Sequence, residues 1–231
     1  DEVFGGYPWF HREEFLKGGT FPWTPTLDPR KNLLSKELRE LLRMEEYVQD
    51  TYNRALMDIT PLPEENETET NRRQIGYLNI RFFMQTLLTR MDRTSMYSGL
   101  EARVPFADHR IMEYVFNVPW SMKYQNGVEK TLLRDACADL LPTELLHRKK
   151  SPYPKTYHPG YEKLLADHLR RIISDPNAPV YPLIDPKKAE AFLTAPKELG
   201  RPWFGQLMAG PQLMAYFIQL NDWMGKYHLS V

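Results

Sequence analysis

The sequence predicts a predominantly helical protein. Apolar residues recur at helical spacing through most of the chain between residues 35 and 224. No stretch alternates convincingly as a strand, and prolines and glycines punctuate the helical stretches rather than flanking short β-rich runs. There is no internal repeat and no low-complexity tract.

Residues 1–29 are rich in aromatics and proline (Tyr7, Trp9, Phe10, Phe15, Phe21 and Trp23 among Pro8, Pro22, Pro25 and Pro29) and read as an irregular packed arm with one short helix at 10–17. Leu38, Leu41, Leu42, Tyr47 and Val48 give a helix over 35–54, closed off by Pro61 and Pro63. PLPEENETET reads as a solvated loop, and its N-x-T sequon at Asn66 has no meaning in a cytoplasmic protein. Residues 72–90, apolar on one face, predict a buried helix. The short segment MDRTSMYSGL follows, then LEARVPFADHR. HRIMEYVFNV predicts a helix with Asp108 as its N-cap. PWSMKYQNG is a turn or hairpin-like loop, and EKTLLRDACADLL is an amphipathic helix ended by Pro142. HRKKSPYPKTYHPGY, basic and proline-rich, predicts extended chain. Helices follow near 160–174, 186–194 and 202–224, the last kinked or split by Pro211.

With 231 residues there is enough chain for one large domain or two small ones. The 30 basic and 30 acidic side chains cancel, so overall charge gives no support to a nucleic-acid or membrane-surface partner. One cysteine, Cys137, allows no internal disulfide, fits a reduced cytoplasmic setting, and reads as core. No apolar run approaches the ~20 residues that span a bilayer, and there is no signal peptide. The opening DEVFGGYPWF lacks Met and already looks structured, which suggests a fragment or a processed product.

Four charged groupings are candidates for chemistry, each with a plainer alternative. Asp92, Arg93, Glu101, Arg103 and Asp108 fall within 17 positions. They form either an ion-pair network at helix junctions or part of a site, and the extended backbone before Val-Pro lets Arg103 reach Glu101 or Asp92. Arg148, Lys149 and Lys150 are either a solvated basic patch at a helix end or an anion site. Lys130 and Arg134, four apart, are surface charge or arms toward the same cluster. Asp1 and Glu2 are a frayed acidic end or ligands for Mg²⁺, which takes few protein oxygens when phosphates supply the rest. The six histidines show no metal spacing, and Walker, G-x-G-x-x-G, H-E-x-x-H and G-x-S-x-G motifs are absent.

Taken in order, DEVFGGY, DRTSMYSGLEARVPFADHRIMEYV, EKTLLRDACADLLP and HRKKSPYP resemble the C-terminal synthetase domain of glutamine-hydrolysing asparagine synthetases. The resemblance is close to about residue 160 and weakens beyond. It divides the chain into an aromatic arm (1–29), a family core (30–160) and terminal helices (161–231). It implies that this is the helical part of an α/β PP-loop ATP pyrophosphatase domain. It also implies an enzyme that uses ATP and Mg²⁺ to adenylate the aspartate side chain, releases pyrophosphate, and amidates the adduct with glutamine-derived ammonia. The family's S-G-G-x-D-S loop, its S-G-E-G and its glutaminase cysteine are not in these residues, so the chain alone is expected to be inactive. The upstream PP-loop and glutaminase domains are implied partners, and a homodimer is possible. By the resemblance, Lys150 reaches the α-phosphate and pyrophosphate, Asp92 lies near the aspartyl-adenylate, and Asp1 serves pyrophosphate and Mg²⁺. Arg148 and Lys149 flank the nucleotide, while Glu101, Arg103, Asp108, Lys130 and Arg134 support the site. LEARVPFADHR is then a buried hinge, its Pro-Phe wedge packed on the core. A sibling amidotransferase or cyclase acting on another carboxylate, and a non-catalytic scaffold, are the competing readings.

Overall fold

A computed structural model describes residues 1–149, 158–194, 198–203 and 206–230, with backbone only for 198–203 and 206–209. The α-helices run α1 (Glu13–Leu16), α2 (Asp28–Lys31), α3 (Lys36–Leu42), α4 (Met44–Leu56), α5 (Glu67–Leu78), α6 (Gln85–Tyr97), α7 (His109–Phe116), α8 (Trp120–Lys123), α9 (Thr131–Ala136), α10 (Thr143–Leu146), α11 (Pro159–Ile173), α12 (Pro186–Thr194) and α13 (Gly210–Lys226). Two antiparallel hairpins complete the described structure: β1 (Tyr124–Gln125) with β2 (Val128–Glu129), and β3 (Glu198–Trp203) with β4 (Gln206–Ala209). The chain is therefore mostly helical, as its periodicity predicts. Among the described residues no helix is long and apolar enough to cross a membrane. The chain divides into two compact units, one formed by Asp1–Pro22 and Tyr52–Ser151, the other by Trp23–Thr51 and Pro152–Val231.

The first unit is built on a long helical rod. Asn66 caps α5: its side chain accepts from Glu69 N–H at 3.0 Å, and the Glu69 carboxylate reaches back to Asn66 N–H. This capping box overturns the expected loop over 61–70, because N-x-x-E supplies partners for two otherwise orphaned amides. At its far end α5 passes without a break into a π-helical segment, Asn79–Met84, and then into α6. The helix expected to stop at residue 90 thus continues through MDRTSMY to Tyr97. Aromatic residues of the arm pack against the rod. Tyr7 stacks on Trp9 at 4.2 Å, and both rings meet Phe83 edge-on. Phe21 meets Phe82 edge-on at 5.1 Å. The arm's helix starts at Glu13 rather than residue 10, because Pro8–Phe10 form a separate 3₁₀ turn.

Asp108 caps α7 as expected, accepting from Arg110 N–H at 2.9 Å. The hairpin-like reading of PWSMKYQNG is realised in β1–β2, where Asn126 and Gly127 both take positive φ, as an Asn-Gly hairpin turn requires. The amphipathic helix expected over 129–141 shrinks to α9, because Glu129 belongs to β2 and Lys130 sits at φ +60°, a left-handed residue that cannot extend a helix backwards. Cys137 follows α9 half-buried, not in the core.

The second unit packs α11 against α13, with α12 alongside. Leu169, Val180, Leu213, Met214 and Phe217 are almost fully enclosed. Leu33 and Leu34 join this core through a β-bridge from Leu34 to Ile184. The single helix expected over 35–54 is broken at Arg43, which is left-handed at φ +40°. Leu41, Leu42 and Tyr47 are exposed, so the apolar stripe that suggested one helix is not a buried face within this unit. Pro211 neither kinks nor splits α13. It lies in the first turn, where its missing N–H costs nothing, and β4 occupies the residues just before it.

Candidate active site

The first seven residues fold into a tight acidic turn. Gly6 N–H donates to the Asp1 carbonyl at 2.9 Å. Gly5 lies at φ +69°, a conformation open to glycine, and a Cβ there would sit 2.4 Å from Cη2 of Trp120. A Cβ on Gly6 would meet Asp1 Oδ1 at 2.2 Å and Lys130 Cε at 2.3 Å. Gly-Gly is therefore needed twice: once for the turn, once to let an ion pair lie directly on the backbone. That pair is Asp1 Oδ1 with Lys130 Nζ at 2.5 Å, both side chains 22% exposed. Burial lowers the pKa of the Lys130 ammonium from its usual value, while the Glu129 carboxylate pulls the other way.

Two further contacts lock the turn. Tyr7 Oη donates to Glu2 Oε1 at 2.5 Å. Burial, then this bond and the charge of Glu2, push the Tyr7 phenol far above its usual pKa, so it stays a proton donor. Asn79, fully buried on the π segment, donates Nδ2–H to the Glu2 carbonyl at 2.9 Å. The left-handed residue Lys130 aims its side chain at the turn, and Arg134 fixes the segment behind it. Arg134 Nε donates to the Glu129 carbonyl at 2.8 Å, Nη2 donates to Glu129 Oε1 at 2.9 Å, and Nη1 donates to the Leu146 carbonyl.

Asp1 and Lys130 line a cavity of about 290 Å³ whose other walls are apolar, among them Met84, Met91, Val104 and Phe106. A charged pair on an apolar wall selects a ligand that carries charge of its own. Among the described residues no three His, Cys, Asp or Glu side chains gather as a metal cage. Asp1 offers one carboxylate. That fits Mg²⁺ taking its other oxygens from phosphates and water, and does not fit a cation held by protein alone.

The expected site residues are brought together only in part. Asp1, Lys130 and Arg134 converge, so Asp1 is not a frayed end and Lys130 is not loose surface charge. Lys150 lies outside the described residues. Arg148 and Lys149, exposed after α10, line neither this cavity nor the larger one beside the turn. Asp92 is exposed on α6; its neighbour Met91 faces the cavity and Asp92 does not. Arg103 pairs with Glu101 at 2.9 Å, not with Asp92, and both side chains are largely exposed. Such a pair contributes little to stability. LEARVPFADHR is accordingly not buried within this unit: Phe106 is 52% exposed and touches the core through an edge-on contact with Phe4 at 5.9 Å. Asp108 turns its second oxygen to Arg110 at 2.6 Å, so it serves its own helix start.

Sequence reasoning missed Asn79, Tyr7 and Gly6. For Asn79 there was a signal, a lone amide in the otherwise apolar run LNIRFFM. Asn79→Leu keeps the volume but strands the Glu2 carbonyl. It is expected to destabilise the first unit by about 1–3 kcal/mol, measured by urea unfolding.

A family model described as "Asparagine synthase" matches residues 1–225. The chain is 44% identical along its whole length to "Asparagine synthetase [glutamine-hydrolyzing] 3" of Bacillus subtilis, of which it covers 38%. It is 34% identical over 142 residues, 57% of this chain, to "Asparagine synthetase [glutamine-hydrolyzing]" of Mesocricetus auratus, and 33% identical over 142 residues to the Homo sapiens protein of the same description. It spans 24% of the length of each of these two. With the acidic turn, the family match over nearly every residue and the full-length identity in hand, the chain belongs to the asparagine synthase family.

Proposed function

We propose that this chain is the helical part of the synthetase domain of a cytoplasmic, glutamine-dependent asparagine synthetase, a ligase. On this reading the whole protein adenylates the aspartate side chain with ATP, releases pyrophosphate, and amidates the adduct with ammonia from a glutaminase domain. A parallel-sheet PP-loop segment and that glutaminase domain complete the enzyme. The 231 residues alone, lacking S-G-G-x-D-S and a glutaminase cysteine motif, are then inactive. The observation that carries the reading is the Asp1–Lys130 pair held against Gly6 at the wall of a cavity, in a chain 44% identical to a protein described as an asparagine synthetase.

Mg²⁺ would offset phosphate charge as pyrophosphate departs. Asp1 is the carboxylate positioned to hold it. Lys130 orients Asp1 and keeps a positive charge beside the same oxygen. Tyr7 and Asn79 keep the turn from opening. The apolar wall excludes water, which protects an activated carboxylate from hydrolysis. Lys150 is the family lysine for the leaving pyrophosphate.

The test is pyrophosphate release by the full-length protein with ATP and Mg²⁺, with and without aspartate. Aspartate-dependent release is expected, falling about 10²–10³-fold in Lys150→Ala. Release dependent on a different carboxylate would make the protein a sibling amidotransferase or cyclase. No release with any carboxylate would leave a scaffold.

A further inference from the structure

The acidic turn has a second cavity on its other side. Glu2 and Val3 line both. This one measures about 420 Å³, within the range of small-molecule sites. Its wall carries Arg72, Trp120 and Lys123, all with hydrogen-bond donors left over.

Lys123 is 6% exposed. Its ammonium meets the Phe116 carbonyl at a long 3.4 Å and lies 5.7 Å from the Trp120 ring centroid. Among the described residues no carboxylate comes within 4.0 Å of it. Burial, then the charge of Arg73, lower its pKa to about 8, so at neutral pH most molecules still carry the charge. Trp120 Nε1–H is buried with no acceptor. Buried donors are nearly always satisfied, and an exception asks for an explanation. The Arg72 guanidinium lies 5.2 Å from the same ring. Arg72 Nε donates to the Phe10 carbonyl at 3.3 Å, and among the described residues no carboxylate lies within 4.0 Å of its terminal nitrogens.

The acids on this wall are already engaged. Glu65 is held by Arg73 at 2.7 Å, Glu69 serves the cap of α5, and Glu2 accepts from Tyr7. The wall therefore presents an ammonium, a guanidinium edge and an indole N–H, and lacks a free acceptor for them. One group with several acceptor lone pairs and negative charge answers all three.

We propose that the cavity walled by Arg72, Trp120 and Lys123 binds a small oxyanion, a carboxylate or a phosphate. The occupant sits behind the acidic turn, against residues 2 and 3, and fills the space that Lys123 needs a counter-charge to share.

The experiment is a lysine side-chain NMR titration of the full-length protein at fixed ionic strength, with inorganic phosphate in one arm and acetate in the other. Lys123→Met assigns the signal by removing it. The titration midpoint of Lys123 is expected to rise by about 1 pH unit with the binding anion, as an opposite charge nearby requires. Trp120→Phe, which removes the N–H and keeps an aromatic ring, is expected to weaken that response at least threefold. A response to phosphate alone marks a phosphate site, to acetate alone a carboxylate site, and to both a general oxyanion site. No movement of Lys123 with either anion at tens of millimolar overturns the proposal, as does an undiminished response in Trp120→Phe.

Discussion

Alanine in place of Gly6 is expected to lower aspartate-dependent pyrophosphate release by about 100-fold or more, because a displacement of the order of 1 Å at reacting groups has that effect. The methyl group would sit 2.2 Å from Asp1 Oδ1, 2.3 Å from Lys130 Cε and 3.0 Å from the Asp1 Cα. The last is backbone of the same turn, tied by the Gly6 N–H to Asp1 carbonyl bond, so it cannot yield independently. The ion pair must open or the turn must widen. Overpacking of this kind also destabilises by about 1–3 kcal/mol. Gly99→Ala is the control: it shares a positive φ, of +72°, but has nothing within 4 Å of the new Cβ. It should cost about 1–2 kcal/mol of backbone strain and leave turnover near wild type. Full turnover in Gly6→Ala would show that the spacing of Asp1 and Lys130 plays no part in the reaction.

Arg73→Met is expected to be the most destabilising of the side-chain replacements, at about 2–4 kcal/mol. Arg73 Nε donates to Glu65 Oε1 at 2.7 Å, Nη1 donates to Asn117 Oδ1 at 2.8 Å, and the guanidinium lies over Phe116. The side chains of Arg73 and Glu65 are 8% and 13% exposed, so removing one leaves the other enclosed without its partner. Adding Glu65→Leu to Arg73→Met should recover much of the loss, since two apolar side chains leave no stranded charge. The pH dependence has a definite sign. The bond from Arg73, ahead of other causes, holds the Glu65 carboxyl below its ordinary value of 4.5. The stabilisation is therefore complete above about pH 4.5 and is lost as pH falls through the lower folded value. Urea unfolding near pH 7 and near pH 3 separates the cases. Wild type should lose stability on acidification, and the double variant should lose less.

What the sequence made legible was local. Asp108 as a cap, the Asn-Gly turn and the helical stretch of α11 each depend on residues within a few positions of one another. The family resemblance was legible for a similar reason, since DEVFGGY and LEARVPFADHR are contiguous strings. What escaped was set by partners far along the chain. Asn79 meets Glu2 across 77 positions, and Lys130 meets Asp1 across more. Helical periodicity placed Leu41, Leu42 and Tyr47 on an apolar stripe but carried no information that Arg43 breaks that helix in two. Asp92 illustrates the converse. Its string matched the family well, yet helical geometry puts Met91, one residue earlier, on the cavity.

The π-helical segment has a consequence for insertions and deletions. A π turn accommodates a residue more than an α turn over the same advance. Deleting one residue between Asn79 and Met84 would let the rod relax to continuous α-helix, and each residue of α-helix turns the chain by about 100°. Everything downstream in α6 would rotate by that angle relative to α5. Arg72 and Arg73, upstream, would keep facing their cavity, while Leu87, Leu88 and Met91 would swing off theirs. The segment thus sets the phase between two halves of one rod, and a shortening there scrambles one cavity while sparing the other.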